Sequence, residues 1–317
     1  MEKEIGGYIE FETYRGTLLH ENAIALNCGR NALAYLCEAR QIRKLYLPAF
    51  LCDSVPNLCK RIGVAYEFYS IDTQLKPLFT KALAPHEWLY LVNYYGQLSN
   101  SEIENWKAHY GRIIVDNCQS YFQMPVSGTD TLYTCRKYFG VADGAFLYTD
   151  ARLGRALETD ESFNRMHFLL GRYERTASEF YPGYTANEGA FAPAPLKLMS
   201  RLTHNLLRGI DYVAAERTRR ENFAYLHTHL EKINQLTPTV ENATFMYPLW
   251  AENGAAIRRE LQKRKIYVPT LWPNVLQKCA TSSLEYRLAA DVLPLPIDQR
   301  YTSYDMEYLK NELLNQL

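Results

Sequence analysis

The chain has 317 residues, of which 47% are hydrophobic and 22% are charged, as is usual for a globular protein. Lys plus Arg and Asp plus Glu number 35 each, so the formal net charge is zero. This balance argues against a nucleic acid or an anionic membrane as the main partner. The length predicts one large domain and a smaller one.

The cysteine pattern and the N-terminal segment indicate the compartment. The seven cysteines include no Cys-x-x-Cys pair, which argues against a zinc cluster, and a disulfide framework is typical of much shorter secreted chains. The first twelve residues, MEKEIGGYIEFE, lack the apolar segment of a secretory signal. No apolar run reaches the ~20 residues of a membrane helix. We therefore expect a cytoplasmic protein with reduced thiols, no metal and no membrane partner.

The first half of the chain alternates between apolar runs and helical patterns. An irregular arm covers 1–22, and the connections between the later elements are short. This order predicts an α/β fold, with a mostly parallel sheet and helices on both faces. Strands are predicted at 23–26, 44–48, 64–71, 88–92 and 113–116, and helices from Asn31, from a cap at Asp53 and from a cap at Asn100 or Ser101.

The second half is less regular at first. Residues 151–194 show few helical signals beyond 153–157, and one long helical run is predicted from about 195 to 236. A small α+β region follows, so we expect a large domain over 23–205 and a small C-terminal domain over 206–317. Its predicted strands are 243–250, 266–269 and 292–297, and its predicted helices are 254–265, 283–290 and a final helix capped by Asp305.

Polar residues follow several of the predicted strands. Asp116 ends the run 113–116, Asn93 follows 88–92, and Phe50 lies in the loop after 44–48. Ligands of parallel α/β sheets bind at the carboxyl ends of the strands, so these residues predict one crevice. The chain has no Gly-x-Gly-x-x-Gly after its first strand, no P-loop and no Gly-x-Ser-x-Gly elbow, which argues against dinucleotide, P-loop nucleotide and serine-hydrolase sites.

Lys137 lies in a glycine-bearing turn between two apolar runs, 132–133 and 145–148. Pyridoxal phosphate (PLP) requires a lysine for an imine, a carboxylate beside its ring nitrogen, a phosphate site and a group against its ring. We interpret Lys137 as the imine lysine and Asp116 as the carboxylate, because a buried carboxylate needs a cationic partner. The alternatives are a solvated loop lysine and an aspartate that only caps a helix or a turn.

The remaining cofactor contacts are predicted from two short segments. Gly29, Arg30 and Asn31 stand where a strand turns into a helix, and the amides of a helix N-terminus bind phosphate, to which Arg30 would add a charge-assisted contact. Gln119 would bond the ring hydroxyl, or else it is an ordinary loop glutamine. His167, Arg172, Tyr173 and Trp272 are placed where substrate groups would lie, or are structural.

The segments 27–33, 94–97 and 115–119, and the turn from Lys137 to Gly144, resemble the DegT/DnrJ/EryC1/StrS family of PLP-dependent sugar aminotransferases, of aspartate-aminotransferase fold type I. The resemblance implies a PLP-transferase sheet with one antiparallel strand. It also implies transfer of an amino group from an amino-acid donor to a keto acceptor, for which a keto-sugar nucleotide is a candidate. A homodimer with shared active sites is implied as well, and Lys137 would act as the general base and acid.

The chain departs from the family pattern at several positions. Leu132 replaces the usual phosphate-binding serine, so Thr134 is expected to take over, and Phe50 is the nearest candidate for the ring-stacking aromatic. The segment 183–188 lacks the arginine that the family supplies from the partner subunit. Two alternatives follow: a catalytically degenerate binding or regulatory protein, and a PLP lyase or dehydratase. Dehydratases of the family carry His in place of the lysine, so Lys137 favours amino transfer.

Overall fold

The computed structural model describes residues 5–239 and 243–317. Eight described strands form one sheet in the order β1-β8-β7-β6-β5-β2-β3-β4, and two more form a separate pair. Their bounds are β1 (Ile24–Leu26), β2 (Lys44–Pro48), β3 (Ala65–Ile71), β4 (Pro77–Leu78), β5 (Glu87–Val92), β6 (Ile113–Asp116), β7 (Asp130–Thr134), β8 (Ala145–Tyr148), β9 (Met246–Trp250) and β10 (Val292–Pro296).

The strand directions confirm the expected α/β class. Strands β3, β2, β5, β6 and β7 pair in parallel, whereas β8 runs antiparallel to both β7 and β1. The two-residue strand β4 adds an antiparallel edge to β3. The register sets Val92 opposite Asp116 and Asp116 opposite Leu132. Three neighbouring strands therefore end at one edge of the sheet.

The described helices surround this sheet and the smaller strand pair. Helix α3 begins with a capping box in which Ser99 accepts from the Glu102 N–H, one residue before the predicted cap. Thr302 caps the last helix, and Asp305 is the third residue of that box rather than the cap. The bounds are α1 (Gly29–Ala39), α2 (Ser54–Ile62), α3 (Asn100–Tyr110), α4 (His167–Glu174), α5 (Tyr181–Ala190), α6 (Arg201–Leu207), α7 (Tyr212–Leu230), α8 (Gly254–Lys263), α9 (Pro273–Lys278), α10 (Leu284–Asp291) and α11 (Ser303–Leu314).

Three expectations about the second half were wrong. The single helix over 195–236 is two helices, because the chain breaks at 208–211 and Asp211 caps α7 by accepting from the Ala214 N–H. The stretch 151–194 contains α4 and α5, while 153–157 is not helical. Residues 266–269 pair with no described strand.

The buried apolar residues of the described chain form three clusters: a main core across the eight-stranded sheet, a separate cluster around the strand pair, and a third around the Lys137 turn that includes Tyr121, Tyr138 and Phe139. In that separate cluster, β9 and β10 pack against α7, α8 and α11 through buried side chains such as Phe223, Leu249 and Leu309. No helix in the described part of the chain is long and apolar enough to cross a membrane.

Candidate active site

The structure places Asp116 and Lys137 at the same edge of the sheet. Asp116 is the last residue of β6, and Lys137 follows the last residue of the parallel neighbour β7 by three positions. The Cys118 thiol reports their proximity: burial raises its pKa most, the Asp116 carboxylate raises it further, and the Lys137 ammonium lowers it. Asp116 and Lys137 therefore lie at the carboxyl ends of two neighbouring parallel strands, where ligands of such sheets bind.

A tight turn holds Lys137 between β7 and β8. The Tyr138 and Phe139 N–H groups both donate to the Cys135 carbonyl oxygen at 2.9 Å. At the end of the turn Gly144 has a φ of 113°, and a Cβ there would meet the side chain of Cys135 at 3.1 Å. Glycine is therefore required at this position.

The Lys137 side chain is exposed, and its amine lies over an aromatic ring. Its Nζ lies 5.4 Å from the centroid of the Phe245 ring. Within residues 5–239 and 243–317 it makes no hydrogen bond and no ion pair. An accessible amine beside an aromatic face is suited to attack a carbonyl group once it is deprotonated.

The Asp116 carboxylate is buried and oriented by two donors. Its Oδ2 accepts from the Tyr90 hydroxyl at 2.7 Å, and its Oδ1 accepts from the Cys118 N–H at 2.8 Å. Burial raises the pKa of Tyr90 well above its usual range, and the Asp116 charge adds to this. Tyr90 therefore stays a neutral donor, and the carboxylate can receive a cation from the crevice.

The predicted phosphate residues begin helix α1. A Cβ on Gly29 would lie 3.5 Å from the Cys118 sulfur, so the start of α1 touches the loop after Asp116. The side chain of Asn31 is occupied elsewhere, since it donates to the Asn27 amide oxygen and the Pro195 carbonyl. Of the Asn31 donors, only the backbone N–H could therefore donate a hydrogen bond to an anion. Arg30 remains at the site and pairs with Glu188 at 4.0 Å.

The other three predicted cofactor residues, Gln119, Thr134 and Phe50, differ in how well their positions suit contact with a cofactor. The Gln119 amide oxygen accepts from the Tyr95 N–H at 2.9 Å. The Nε2 donor of the same Gln119 amide group therefore points away from the main chain of Tyr95. Thr134 is the buried last residue of β7. Phe50 is 1% exposed, and its ring packs 5.1 Å from the Trp272 ring. Phe50 therefore lies in the core rather than on an open face of the crevice.

Arg219 is a residue of this region that the sequence did not indicate. It is 1% exposed, it donates to the Gln299 side-chain oxygen at 2.8 Å, and its guanidinium lies 4.5 Å from the Tyr138 ring centroid. Gln299 in turn donates to the Tyr138 carbonyl at 2.8 Å. Helix α7 and the loop after β10 thus hold the residue next to Lys137. No periodicity reveals this contact, because it forms only in the folded chain.

Several solved structures share this architecture at low sequence identity. No protein family model matches the chain, and no curated protein matches it. DesV of S. venezuelae, solved with a ketimine intermediate, is 15% identical over 93% of this chain and 84% of its own, with a TM-score of 0.64. NtdA of Bacillus subtilis, with bound PMP, is 15% identical over 92% and 72%, with a TM-score of 0.65.

A third similar structure is a sugar aminotransferase of Micromonospora echinospora, 16% identical over 94% of this chain and 88% of its own, with a TM-score of 0.60. Identity this low establishes the fold and no more. The fold expected from the resemblance is confirmed: the chain has the fold of the DegT/DnrJ/EryC1/StrS-type aminotransferases.

The donor set at the crevice fits PLP. A buried carboxylate with fixed orientation, a lysine amine, and a phosphate site made of an arginine and the first amides of a helix are three of the four groups that the cofactor requires; the group against the ring is not among them. In the described structure these groups lie on β6, on the turn after β7 and on α1.

Proposed function

We propose that this protein is a PLP-dependent aminotransferase, which moves an amino group from an amino-acid donor to a keto acceptor. One observation carries the proposal: Asp116 ends β6, and Lys137 follows the end of the parallel neighbour β7 by three residues, so both lie at the same edge of the sheet. The bound cofactor would supply an electron sink for the carbon that loses its proton.

The roles of the residues follow from their chemistry. Lys137 would hold the cofactor through Nζ and would act as general base and general acid for the proton that moves. Asp116 would favour the protonated ring nitrogen through its oriented negative charge. Gln119 Nε2 would donate to the ring hydroxyl, and Gly29, Arg30 and Thr134 would bind the phosphate.

The acceptor, the assembly and the compartment form a second part of the proposal. A keto-sugar nucleotide is the acceptor that we favour, because a structurally similar protein is a sugar aminotransferase. We also propose that the protein is a cytoplasmic homodimer with shared active sites. Large apolar side chains on the surface of α4 and α5, such as Tyr173 at 92% and Tyr181 at 62% exposure, support the dimer. The division into domains at 23–205 and 206–317 agrees with the separate core around β9 and β10.

Borohydride reduction of the protein with added PLP tests the central assignment. We expect a visible absorbance band that borohydride removes, and a pyridoxyl group fixed on the peptide that contains Lys137. Lys137→Arg should lose the label, whereas Lys263→Arg on the exposed face of α8 should keep it. Absence of label on Lys137, or labelling spread over several lysines, would exclude the proposed site.

A degenerate enzyme is the second candidate, and Leu132 in place of a phosphate-binding serine favours it. The two candidates differ in one measurement, the conversion of the bound cofactor to its amino form by amino-acid donors. A protein that takes the Lys137 label but leaves every donor unchanged would be a binding or regulatory protein. Loss of water or another leaving group from the substrate, without transfer of nitrogen, would indicate a lyase.

A further inference from the structure

A carboxylate lies between two arginines beside the proposed cofactor site. Glu188 of α5 contacts Arg30 at 4.0 Å through one carboxylate oxygen and pairs with Arg136 through the other. Arg30 is the second residue of α1, and Arg136 immediately precedes Lys137. The ion pairs therefore join the two segments that carry the proposed phosphate site and the proposed lysine.

Arg136 is only partly satisfied by its neighbours. Its side chain is 14% exposed, and its Nε is buried with no hydrogen-bond partner among the described residues. The guanidinium stacks 4.4 Å from the centroid of the Phe191 ring, and burial is the main cause that lowers its pKa. A buried cation of this kind is costly without an anion.

The other charges nearby are already engaged. Asp143 also lies near Arg136, but its carboxylate accepts from the Ser200 N–H at 2.8 Å, from the Ser200 hydroxyl at 2.7 Å and from the Thr203 hydroxyl. Arg165, on the same Phe191 ring, pairs with Asp160 at 3.0 Å. Glu188 is thus the anion available to Arg136.

Glu188 is the more exposed member of its ion pair with Arg136. Its side chain is 33% exposed, and α5 is a ten-residue helix in which Asn187 is the buried residue. A half-exposed carboxylate that moves into water recovers its hydration, whereas a buried arginine does not.

We propose that Arg136 and Arg30 form the binding site for the phosphate monoester of the cofactor, and that Glu188 occupies this site until the phosphate displaces it. The inference rests on the proposed function, which it completes: Leu132 cannot donate to a phosphate, and Arg136 supplies a donor in its place. A phosphate carries more charge than a carboxylate and three acceptor oxygens, so it matches two guanidinium groups and the amides at the start of α1 better than Glu188 does.

Glu188→Gln tests the exchange, because it removes the competing charge and keeps the size of the side chain. In phosphate-free buffer the variant should unfold at a lower temperature than the wild type, since Arg136 loses its anion. Inorganic phosphate should raise its unfolding temperature more than it raises that of the wild type. The dissociation constant for PLP, measured by absorbance titration, should fall on the order of tenfold. The matched control is Glu179→Gln, whose partner is Arg175 rather than Arg136, and it should show neither effect.

Arg136→Gln should have the opposite effect on PLP affinity to Glu188→Gln. PLP affinity should fall by about tenfold or more, while borohydride at saturating PLP should still label Lys137. A Glu188→Gln variant that binds PLP no more tightly than the wild type, and gains no stability from phosphate, would overturn the inference. Failure of the proposed function is distinct from this outcome, because it would appear in the wild type as absence of label on Lys137.

Discussion

At the scale of single residues, the contact between Tyr90 and Asp116 sets the orientation of the carboxylate. Tyr90 is 1% exposed, and its hydroxyl donates to Asp116 Oδ2 at 2.7 Å. A hydrogen bond to a charged group is worth about 1.5–3 kcal/mol when a buried partner would otherwise be unsatisfied. The contact therefore stabilises the fold and also aims the carboxylate at the crevice.

Tyr90→Phe should lower the free energy of unfolding by about 1.5–3 kcal/mol and weaken PLP binding, because Oδ2 loses its donor. Urea unfolding and absorbance titration with PLP measure the two effects. Tyr110→Phe is the matched control, since the Tyr110 hydroxyl donates to the Phe79 carbonyl at 2.9 Å away from the crevice. It should cost less stability and leave PLP affinity unchanged. Equal PLP affinity in Tyr90→Phe and the wild type would contradict this role.

His20 should make stability depend on pH. Its ring is fully buried and contacts the Tyr121 carbonyl at 2.9 Å, and burial lowers its pKa to about 4. The unfolded chain titrates near 6.5, so it binds the proton first as the pH falls. This contribution to stability should decline from about pH 6.5 to about pH 4, by roughly 3 kcal/mol in full.

Urea unfolding at a series of pH values measures this decline. His20→Gln should remove its share of the slope, because glutamine does not titrate. His229→Gln, at an exposed position of α7, should leave the slope as in the wild type. Parallel pH profiles for His20→Gln and the wild type would show that His20 does not titrate as proposed.

At the scale of elements, α7 is fixed to the Lys137 turn through Arg219. The guanidinium also donates to the Thr244 carbonyl at 3.1 Å, beside Phe245, the ring that faces Lys137. Arg219→Lys keeps the charge but loses the planar fork, so it should cost about 2–4 kcal/mol. It should also slow borohydride labelling of Lys137 at subsaturating PLP.

The matched control for this variant is Arg217→Lys on the same helix, where the side chain is 68% exposed. Its unfolding free energy, measured in urea, should change by less than about 0.5 kcal/mol. Similar losses in the two variants would mean that the buried contacts of Arg219 add little.

The elements differ in how far the sequence could predict them. Strand β6 was predicted with its observed bounds, because a continuous apolar run ending on Asp116 has few other interpretations. Helices α4 and α5 were not predicted, since Gly171, Pro182 and Gly183 have low helix propensity and the helices depend on packing between them, as between the Phe168 and Tyr184 rings. The sequence also did not indicate Arg136 as a phosphate-binding residue, because its partner Glu188 comes near it only when α5 forms.

At the scale of the whole molecule, the N-terminal arm exposes a row of large apolar side chains. Ile5, Tyr8 and Ile9 are 89%, 95% and 90% exposed, while the arm is held to α6 where Asn205 bonds the main chain of Glu12 and Tyr14. Large apolar side chains that are exposed close together in sequence are candidates for an interface. The arm is thus a candidate contact of the proposed homodimer.

Replacing Ile5, Tyr8 and Ile9 together by serine should weaken that dimer and leave the folded subunit intact, because these residues lie outside the buried core. Sedimentation velocity over a range of concentrations measures the shift toward monomer. Leu314→Ser, at a 45% exposed position of α11, is the control and should not change the dimer. An unchanged association constant in the triple variant would remove the arm from the interface.

The order of strands also bears on how the chain folds as it is synthesised. In the described part of the chain β1 lies at the edge of the sheet with β8 as its neighbour, and the Gly144 N–H donates to the Asn27 carbonyl at 2.7 Å, just before α1 begins. The ribosome must therefore release more than a hundred residues beyond β1 before its neighbour exists. The proposed phosphate site at the start of α1 and the proposed lysine turn can therefore come together only after that turn has left the exit tunnel.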